Sequence, residues 1–558
     1  MAKLTGAHLF IRCLKLEGIQ KIFTIVGDTI LPLVDAAADE GIEFIDTRHE
    51  GAAMHMADGY ARITGRPSVA MFTGGPGFSN AISALPAIYT SESPVIFVAG
   101  CAELPEKGMA TFQEIDQTSM AAPVTKGSWL VHHRQRIPEF VATAFRTALS
   151  GRPGPVPITL PVDLQEQEIS EDELPRYLPS EYRNLGRPQG DPALVQQAVA
   201  LLRQAQRPVI IAGNPARYSV EPEQLQALAE TTGIPVFTVE QARGLLDDDH
   251  PLCFGYADGA LNAAARRFRE ADAVLLLGKR LDHRYRYGQP PFFSPAARIV
   301  QADPSPAEIG RNRGVAVGLL GDLGSIVEQL TAAAGLAPWP DISSWVSQLQ
   351  QDRKAWREGL RARATGEQPL HPLDVYTQIE HLIHRDAVIV FDGGDYVQWG
   401  RSYLKARRPG HFLRLGPLSH LGAGIPYGMA AKLAHPESQV LVFIGDGSFG
   451  FYAMEYDTCI RHHLPITTVL GNDATWGIDK TFQLAYFQRA VGTDLRFIRY
   501  DKVVEAIGGY GEYVERSEEV APAVERALRS GRPSLVNVVV RSGASPLAEA
   551  MIARRTGR

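Results

Sequence analysis

Short apolar runs rich in β-branched residues alternate with helical patterns along this 558-residue chain. In about the first 165 residues, five runs have the composition of strands: IQKIFTIVG, IEFIDT, PSVAMFTGG, SPVIFVAG and PVPITLPVD. Strands that alternate with helices pair in parallel, and helices then cover both faces of the sheet. The alternation therefore predicts an α/β fold built on doubly wound parallel sheets.

The same alternation occurs twice more. The second block contains RPVIIAGNPA, GIPVFTVE, ADAVLLLGKRLD and ARIVQADPS, and the third contains DAVIVFDGGD, QVLVFIGDGSFG, LPITTVLGND and PSLVNVVV. A polar, proline-rich linker from Leu174 to about Asp191 and a second one containing GLAPWPDISS separate the blocks. At roughly 100–200 residues per domain, the length also predicts about three domains. We expect domains over residues 1–173, 190–335 and 365–541, followed by a tail over 542–558.

Composition excludes several classes of protein. Apolar residues make up 45% and charged residues 21%, as in ordinary globular proteins. The formal net charge is −6 without a long basic run, so we expect no nucleic-acid partner. No apolar stretch reaches the roughly 18 residues of a membrane helix. The N-terminal segment reads as an amphipathic helix, so we expect no secretion signal. The four cysteines lie far apart, which indicates neither a zinc site nor a disulfide framework. We expect a cytoplasmic enzyme without a membrane partner.

Two strand ends carry polar residues suited to a metal. The run QVLVFI leads into GDG, which places Asp446 at the end of a buried strand and beside the start of a helical pattern. The next strand, LPITTVL, leads to Asn472 and Asp473. Mg²⁺ prefers oxygen ligands and commonly joins one or two carboxylates to a phosphate group. A GDG turn alone is more often a surface turn, but the second polar strand end favours a metal and diphosphate site.

These motifs resemble those of the thiamine diphosphate (ThDP, or thiamine pyrophosphate) enzymes. GDG, about 25 residues and a polar pair ending a strand resemble the signature of that superfamily. DTRHEGAAMHMADGYARITG resembles its pyrimidine-domain glutamate segment, and VAMFTGGPGFSNAISAL the strand and glycine turn that follow. The resemblance covers essentially the whole chain. It implies a pyrimidine-binding domain, a central nucleotide-binding-like domain and a diphosphate-binding domain in that order, with the tail as a possible lid.

The resemblance also implies individual roles. Glu50 matches the acid that hydrogen-bonds N1′ of the aminopyrimidine, and Leu421 the apolar residue that bends the cofactor into a V. Asp446, Asp473 and the backbone carbonyl of Thr475 match the Mg²⁺ ligands. Asp473 stands where the family has Asn, so it adds a negative charge that favours metal and disfavours diphosphate. The remaining cofactor-binding residues implied are Gly394, Asp395, Tyr396, Gly447, Ser448, Gly477 and Ile478.

Glu50 is the expected activator of the cofactor. Burial raises the pKa of a carboxylic acid, so such a Glu can stay protonated and favour the tautomer whose 4′-nitrogen removes the C2 proton. The cofactor supplies the carbanion chemistry, and the protein supplies orientation and electrostatics. As an isolated residue, Glu50 would more often be a helix N-terminal acid that pairs with Arg48 or the helix dipole. The accompanying motifs favour the cofactor role.

Several reactions share these motifs. GDGSFGFYAMEYDTCIRHHLPI resembles the oxalyl-CoA decarboxylase and 2-hydroxyacyl-CoA lyase branch, and Gln113 matches the lyases. FQE resembles acetolactate synthase, and NDATWG resembles benzaldehyde lyase. We expect first a 2-hydroxyacyl-CoA lyase, which cleaves to or ligates a carbonyl compound and formyl-CoA. The alternatives are condensation of 2-keto acids and acyloin cleavage. A catalytically silent nucleotide-binding regulator is the hypothesis from another class; Glu50 and the ligand pair argue against it.

Two further residues are candidates near the reacting carbon. Asp28 follows the first strand and is either an acid/base or the N-cap of the helix TILPLVDAAAD. Gln113 either orients the carbonyl or carboxylate of a small-molecule or acyl-CoA substrate, or stabilises its own loop.

Charged residues also follow strands of the central block. Arg280, Asp282 and Arg284 follow ADAVLLLG, and Asp303 follows ARIVQA. An acid at such a strand end often binds a ribose hydroxyl. The resemblance implies ADP or CoA there, or alternatively FAD; a surface charge cluster is the other interpretation. In the superfamily the cofactor lies between two subunits, which implies a homodimer or homotetramer.

Overall fold

Three parallel six-stranded sheets form the framework of the protein in a computed structural model that describes residues 4–174, 178 and 186–556. The first sheet has the order β2-β1-β3-β4-β6-β5, the second β12-β11-β10-β7-β8-β9 and the third β14-β13-β15-β16-β18-β17. The predicted α/β class with three doubly wound parallel sheets is therefore confirmed. Each sheet has an internal reversal point in its strand order, between β1 and β3, between β7 and β10, and between β13 and β15. The first and third sheets reverse again at their edges, where β6 precedes β5 and β18 precedes β17 in the order.

The strands of the first sheet are β1 Lys21–Ile25, β2 Glu43–Asp46, β3 Ser68–Phe72, β4 Val95–Cys101, β5 Trp129–Leu130 and β6 Val156–Pro161. Those of the second are β7 Pro208–Ala212, β8 Val236–Thr238, β9 Cys253–Tyr256, β10 Ala273–Leu277, β11 Arg298–Asp303 and β12 Val317–Leu320. Those of the third are β13 Val388–Asp392, β14 Phe412–Arg414, β15 Val440–Gly445, β16 Thr467–Asn472, β17 Tyr510–Val514 and β18 Ser534–Val539.

Helices connect the strands. Up to the second sheet they are α1 Gly6–Leu16, α2 Leu31–Asp39, α3 Glu50–Thr64, α4 Pro76–Ile82, α5 Leu85–Ser91, α6 Gln117–Ala121, α7 Ile137–Leu149, α8 Val162–Glu166 and α9 Pro192–Gln204. The next are α10 Pro222–Thr232, α11 Leu323–Ala334, α12 Ser343–Arg361, α13 Pro372–Ile379, α14 Asp395–Tyr403 and α15 Gly424–Ala434. The last are α16 Asp446–Tyr452, α17 Glu455–Arg461, α18 Gly477–Phe487, α19 Tyr500–Ile507, α20 Ser517–Arg529 and α21 Pro546–Thr556.

Short 3-10 helices complete the described elements. They are Asp28–Ile30, Leu104–Glu106, Ala122–Val124, Arg134–Arg136, Glu171–Glu173, Asn214–Tyr218, Glu240–Ala242, Ala263–Glu270, His283–Gly288 and Glu380–Leu382. Within residues 4–174, 178 and 186–556, no helix has both the length and the apolar character that crossing a membrane requires.

The chain divides into two compact units. The first comprises Met1–Gly186, Leu415–Pro436 and Tyr452–Leu464 and contains the first sheet; the second comprises Arg187–Arg414, Glu437–Phe451 and Pro465–Arg558 and contains the other two sheets. In the first unit, α3 packs against α15. Each unit has its own buried apolar core, which includes Phe10 and Phe97 in the first unit and Tyr376 and Phe443 in the second.

The structure has five strands that the apolar runs do not predict, namely β5, β9, β12, β14 and β17. All five lie at an edge of their sheet. The predicted linker from Leu174 to about Asp191 falls largely outside the described residues, and Asp191 itself caps α9 by accepting hydrogen bonds from the N–H groups of Ala193 and Leu194.

Candidate active site

The third sheet brings the two predicted metal-binding carboxylates together. Strands β15 and β16 are paired in register, with Gly445 opposite Gly471. Asp446 follows β15 as the first residue of α16, and Asp473 directly follows β16. Both acids therefore stand at the carboxyl ends of neighbouring parallel strands, beside the point where the strand order reverses. This is where open α/β sheets bind their ligands.

A strained loop holds Asp473 in place. The Thr475 N–H donates to Asp473 Oδ1 at 3.2 Å, and the Thr475 hydroxyl donates to Asp473 Oδ2 at 3.1 Å. Between them, Ala474 has φ of +54°, a left-handed conformation that costs a residue with a Cβ about 1–3 kcal/mol. Such strain persists where the surroundings impose the conformation. The loop geometry therefore fixes the Asp473 carboxylate and the Thr475 carbonyl relative to each other.

The carboxylate of Asp446 lacks a hydrogen-bonding partner that its burial demands. The residue is 2% exposed, and its Oδ2 has no hydrogen-bond partner among the described residues. Burial raises the pKa of Asp446, and the nearby Asp473 carboxylate raises it further, to about 7. Burial also raises the pKa of Asp473. A divalent cation would satisfy the free oxygen and offset the repulsion, so these residues fit the Mg²⁺ that the sequence predicts.

Glycines leave room for a ligand around this pair. A Cβ on Gly447 would lie 2.7 Å from the Trp476 ring, so only glycine fits where the start of α16 meets that side chain. Across the reversal point, Gly393 has φ of +122° and lies next to Gly445 and the hydroxyl of Ser448. These positions, at the helix start beside β13 and β15, allow the close backbone approach that an anionic group such as a diphosphate requires.

The other cofactor-binding residues predicted in the third domain lie around the same strand ends. Gly394 contacts Ile478, since a Cβ there would be 3.0 Å from Ile478 Cγ2. Asp395 is buried and accepts a hydrogen bond from the Ser545 N–H at 3.0 Å; burial raises its pKa to about 6. The ring of Tyr396 packs in the core, stacked on Tyr376.

In the first unit, Glu50 is the first residue of α3, and its side chain contacts Asn80. His49 is the N-cap, and its Nδ1 accepts a hydrogen bond from the Gly51 N–H at 3.0 Å. The side-chain amide of Asn80, on α4, donates to Glu50 Oε2 at 3.0 Å. A Cβ on Gly77 would lie 3.7 Å from Glu50 Oε1, so the glycine leaves space beside that oxygen. The structure thus orients a half-buried carboxyl group with one oxygen bound to Asn80.

Gln113 lies beside the reversal point of the first sheet. Its φ is +59°, and Gly75 accommodates it, because a Cβ on Gly75 would be 2.8 Å from Gln113 Cβ. Gln113 Oε1 accepts a hydrogen bond from the Thr73 hydroxyl at 3.4 Å. Asp28 is exposed at the start of a 3-10 helix whose N-cap is Gly27, and no side-chain cap bond forms there. The alternative role of Asp28 as an N-cap is therefore wrong, because Asp28 is already the first residue of the 3-10 helix and Gly27 occupies the N-cap position.

A pair of histidines next to Leu421 is not predicted from the sequence. His55 Nε2 lies 3.2 Å from His420 Nδ1, which joins α3 to the segment that precedes α15. Burial lowers the pKa of both side chains, and the charge of His420 lowers that of His55 further. Leu421 itself is half-buried. The two histidines are 365 residues apart, so no local pattern indicates their contact.

The charged residues of the central sheet are engaged in internal contacts. Asp282 pairs with Lys279, and Arg280 Nε lies 3.1 Å from Glu308 Oε1. Arg284 faces Asp258 at 3.9 Å. Asp303 is fully buried and accepts a hydrogen bond from the Ser305 N–H at 2.9 Å.

The sequence patterns also do not predict a buried ion pair near Arg284. Arg414 Nη1 donates to Glu240 Oε1 at 2.9 Å, and burial lowers the pKa of Arg414 to about 10. Burial alone would raise the pKa of Glu240, but Arg414 and Arg284 lower it. The two partners are 174 residues apart, and Glu240 has φ of +54°.

Most of the predicted tail forms helix α21, Pro546–Thr556. Helix α21 packs against α14 and α18 in the second unit. Arg554 donates to the His283 carbonyl at 3.5 Å, and the Arg555 guanidinium lies 4.2 Å from the centre of the Tyr486 ring. Arg558 lies outside the described residues.

Comparison with known protein families gives matches in all three parts of the chain. The family model described as "Thiamine pyrophosphate enzyme, N-terminal TPP binding domain" matches residues 4–120. The models for the central domain and for the C-terminal TPP binding domain of the same enzymes match residues 195–330 and 392–538.

Full-length relatives carry two kinds of name. A probable acetolactate synthase from Mycobacterium bovis is 35% identical over 536 residues, 96% of this chain and 95% of that protein. A probable acetolactate synthase large subunit from Methanocaldococcus jannaschii is 31% identical over 558 residues, 96% of this chain and 92% of that protein. The human 2-hydroxyacyl-CoA lyase 2 is 30% identical over 570 residues, 94% of this chain and 88% of that protein.

Proposed function

The chain belongs to the thiamine pyrophosphate enzyme family, and from this premise we propose that it uses ThDP and Mg²⁺ to make or break a carbon–carbon bond beside a carbonyl group. The observation that carries the metal assignment is the buried Asp446 carboxylate, whose Oδ2 has no partner among the described residues although Asp473 lies beside it. When bound, ThDP supplies a stabilised carbanion equivalent to the carbonyl carbon. The protein then has to bind the cofactor, orient the substrate beside it and supply protons.

We assign the two ends of the cofactor to different residues. Asp446, Asp473 and the Thr475 carbonyl hold Mg²⁺, and the start of α16 with Gly447 and Ser448 receives the diphosphate. Gly394, Asp395, Gly477 and Ile478 line the same strand ends. Glu50 would bind the aminopyrimidine through the oxygen that Asn80 leaves free, and Leu421 would pack against the cofactor.

Gln113 is the residue proposed to orient the substrate. Because its Oε1 accepts a hydrogen bond from Thr73, its Nε2 group is available as a donor to a substrate carbonyl or carboxylate. The left-handed backbone at Gln113 is consistent with a functional position, since such strain clusters at active sites. Asp28, exposed after β1, is a candidate acid/base for the same substrate.

We propose acetolactate synthase-type condensation of 2-keto acids as the first reaction to test. The support is the name of two relatives that match almost the whole chain at 35% and 31% identity. Cleavage or ligation of a 2-hydroxyacyl-CoA is the second candidate. It is supported by the human lyase at 30% identity and by the resemblance of GDGSFGFYAMEYDTCIRHHLPI to the lyase branch.

A substrate panel separates these reactions. The protein with ThDP and Mg²⁺ is given pyruvate, a 2-hydroxyacyl-CoA or an aromatic acyloin, and the products are identified by mass spectrometry. Acetolactate with release of CO₂ supports the synthase, and formyl-CoA with an aldehyde supports the lyase. Free aldehyde from the acyloin supports benzaldehyde lyase-type cleavage. A protein that binds ThDP but turns over none of these is consistent with the regulator hypothesis.

The central domain extends the proposal to a nucleotide. Asp303 is the last residue of β11, and β10, beside the reversal point of the second sheet, is followed by Lys279, Arg280, Asp282 and Arg284. Because most of these side chains are already paired, we expect ADP or CoA to bind by exchanging partners with them. Mass spectrometry of ligands released from the purified protein tests this, and a flavin absorbance band would instead indicate FAD.

A further inference from the structure

Three carboxylates cluster at the strand ends of the third sheet. Asp446 is 2% exposed, Asp395 is 6% exposed, and Asp473 is half-buried. A Cβ on Gly477 would lie 3.0 Å from Asp473 Oδ2 and 3.9 Å from Asp395 Oδ2, so both carboxylates lie close to the same point. Among the described residues, no lysine or arginine pairs with any of the three. The site therefore carries negative charge that the chain itself does not neutralise.

The three acids are not equivalent. Asp395 accepts hydrogen bonds from the Ser545 N–H and the Thr481 hydroxyl, and Asp473 accepts them from Thr475. Asp446 retains an oxygen without a hydrogen-bond partner in the described part of the chain. Asp446 and Asp473 thus form a preformed pair of oxygen ligands, with Asp395 bound to the backbone behind them. Such a pair attracts a hard divalent cation without help from a ligand phosphate.

We propose that Asp446 and Asp473 take up a divalent cation before the diphosphate arrives, so that the metal loads first and ThDP second. This inference rests on the proposed function, because it concerns the same metal site. Two carboxylates balance the charge of one divalent cation completely, whereas one carboxylate and one neutral ligand would leave a positive charge. The second carboxylate therefore raises the affinity of the site for the metal ion alone and lowers the affinity of the metal-loaded site for the diphosphate.

The test measures metal binding rather than activity. Mn²⁺ is titrated into the full-length protein without ThDP, and free Mn²⁺ is followed by electron paramagnetic resonance. The wild-type protein should bind one Mn²⁺ per chain, and Asp473→Asn should bind it at least about tenfold more weakly because one of two charged ligands is gone. With saturating Mn²⁺, Asp473→Asn should bind ThDP more tightly than the wild type in calorimetry.

Two controls keep the outcome interpretable. Asp479→Asn removes an exposed acid from α18 and should leave Mn²⁺ affinity unchanged. Asp446→Asn provides a second variant of the pair if Asp473→Asn fails to fold, and it should also lose Mn²⁺ binding. Wild-type protein that binds Mn²⁺ only after ThDP is added overturns the loading order but leaves the proposed function intact. Protein that binds no ThDP even with excess metal overturns the proposed function itself.

Discussion

At the scale of single residues, Glu50 carries the most specific chemical expectation. Replacing it with Gln keeps the shape and the contact with Asn80 but removes the transferable proton. We expect turnover to fall about 10²–10⁴-fold, the usual contribution of a general acid or base, whereas ThDP affinity measured by calorimetry changes little. Glu43→Gln, which removes an exposed acid from β2, is the matched control. Equal turnover in both variants would contradict the role of Glu50.

His371 makes the stability of the second unit sensitive to acid. Its Nδ1 accepts a hydrogen bond from the Leu373 N–H at 3.0 Å and so caps α13. Burial, with smaller contributions from Arg541 and Arg363, lowers the pKa of His371 from 6.5 to about 4. Between pH 6.5 and about 4 the unfolded chain therefore binds a proton that the folded chain excludes. Stability is unaffected above this range and decreases as the pH falls through it.

His371→Asn tests this dependence, because Asn retains a cap acceptor that does not titrate. The variant should lose less of its unfolding midpoint than the wild type when the pH is lowered from 7.5 to 5, as followed by circular dichroism. His384→Asn replaces an exposed histidine and should behave like the wild type. If His371→Asn and the wild type lose the same amount, the cap does not titrate as described.

Which residues of the site can be predicted depends on how local their cause is. Asp446, Asp473 and Glu50 stand at the ends of apolar runs or the start of a helical pattern, so periodicity along the chain indicates them. The contact of Asn80 with Glu50 and that of His55 with His420 depend on tertiary packing. The left-handed conformation of Ala474 cannot be predicted from the sequence either, because Ala has no preference for that conformation.

At the scale of elements, position within the sheet decides what the sequence predicts. Central strands such as β4 and β15 are buried on both faces, so they appear as continuous apolar runs. The edge strand β17 is buried only at Val514, and β5 has two residues. Half-exposed or very short edge strands lack the apolar run, which is why all five missed strands are edges although the three sheets are predicted.

Two helical glycines should respond oppositely to the same substitution. A Cβ on Gly59 of α3 would lie 2.8 Å from Tyr427 Cδ1 and 3.2 Å from Tyr427 Cα, on the face packed against α15. Gly59→Ala should destabilise the first unit by about 1–3 kcal/mol through overpacking. For Gly359 of α12, the added Cβ meets no described heavy atom within 4 Å apart from its chain neighbours and the backbone of its own helix. Gly359→Ala should therefore stabilise by about 1 kcal/mol through helix propensity.

Denaturant unfolding of both variants measures the difference in free energy. The transitions of a multidomain chain are fitted separately, since one two-state transition does not describe it. Unchanged stability in Gly59→Ala would show that the packing of α3 against α15 does not depend on the missing side chain. A loss of stability in Gly359→Ala would contradict the gain expected from helix propensity.

At the scale of the whole molecule, the same sheet architecture with a candidate ligand crevice occurs three times. Each sheet has an internal reversal point, and glycines or a small polar residue stand at or just after the ends of the two strands there. In the first sheet these are Gly27 and Thr73, in the second Gly213 and Gly278, and in the third Gly393 and Gly445. The fold thus offers three ligand crevices, to which we assign a carbonyl substrate with the aminopyrimidine, a nucleotide and a metal–diphosphate group.

The assembly expected for the family predicts complementation between two inactive variants. If Glu50 of one chain and Asp446 of another serve the same cofactor, mixed dimers of Glu50→Gln and Asp446→Asn contain one doubly substituted site and one intact site. Co-expression of the two variants in equal amounts gives half mixed dimers, and so should restore about a quarter of wild-type activity. Each variant alone should remain inactive, and light scattering should show at least a dimer. A site formed within one chain would yield no recovery, because every chain then carries a defect.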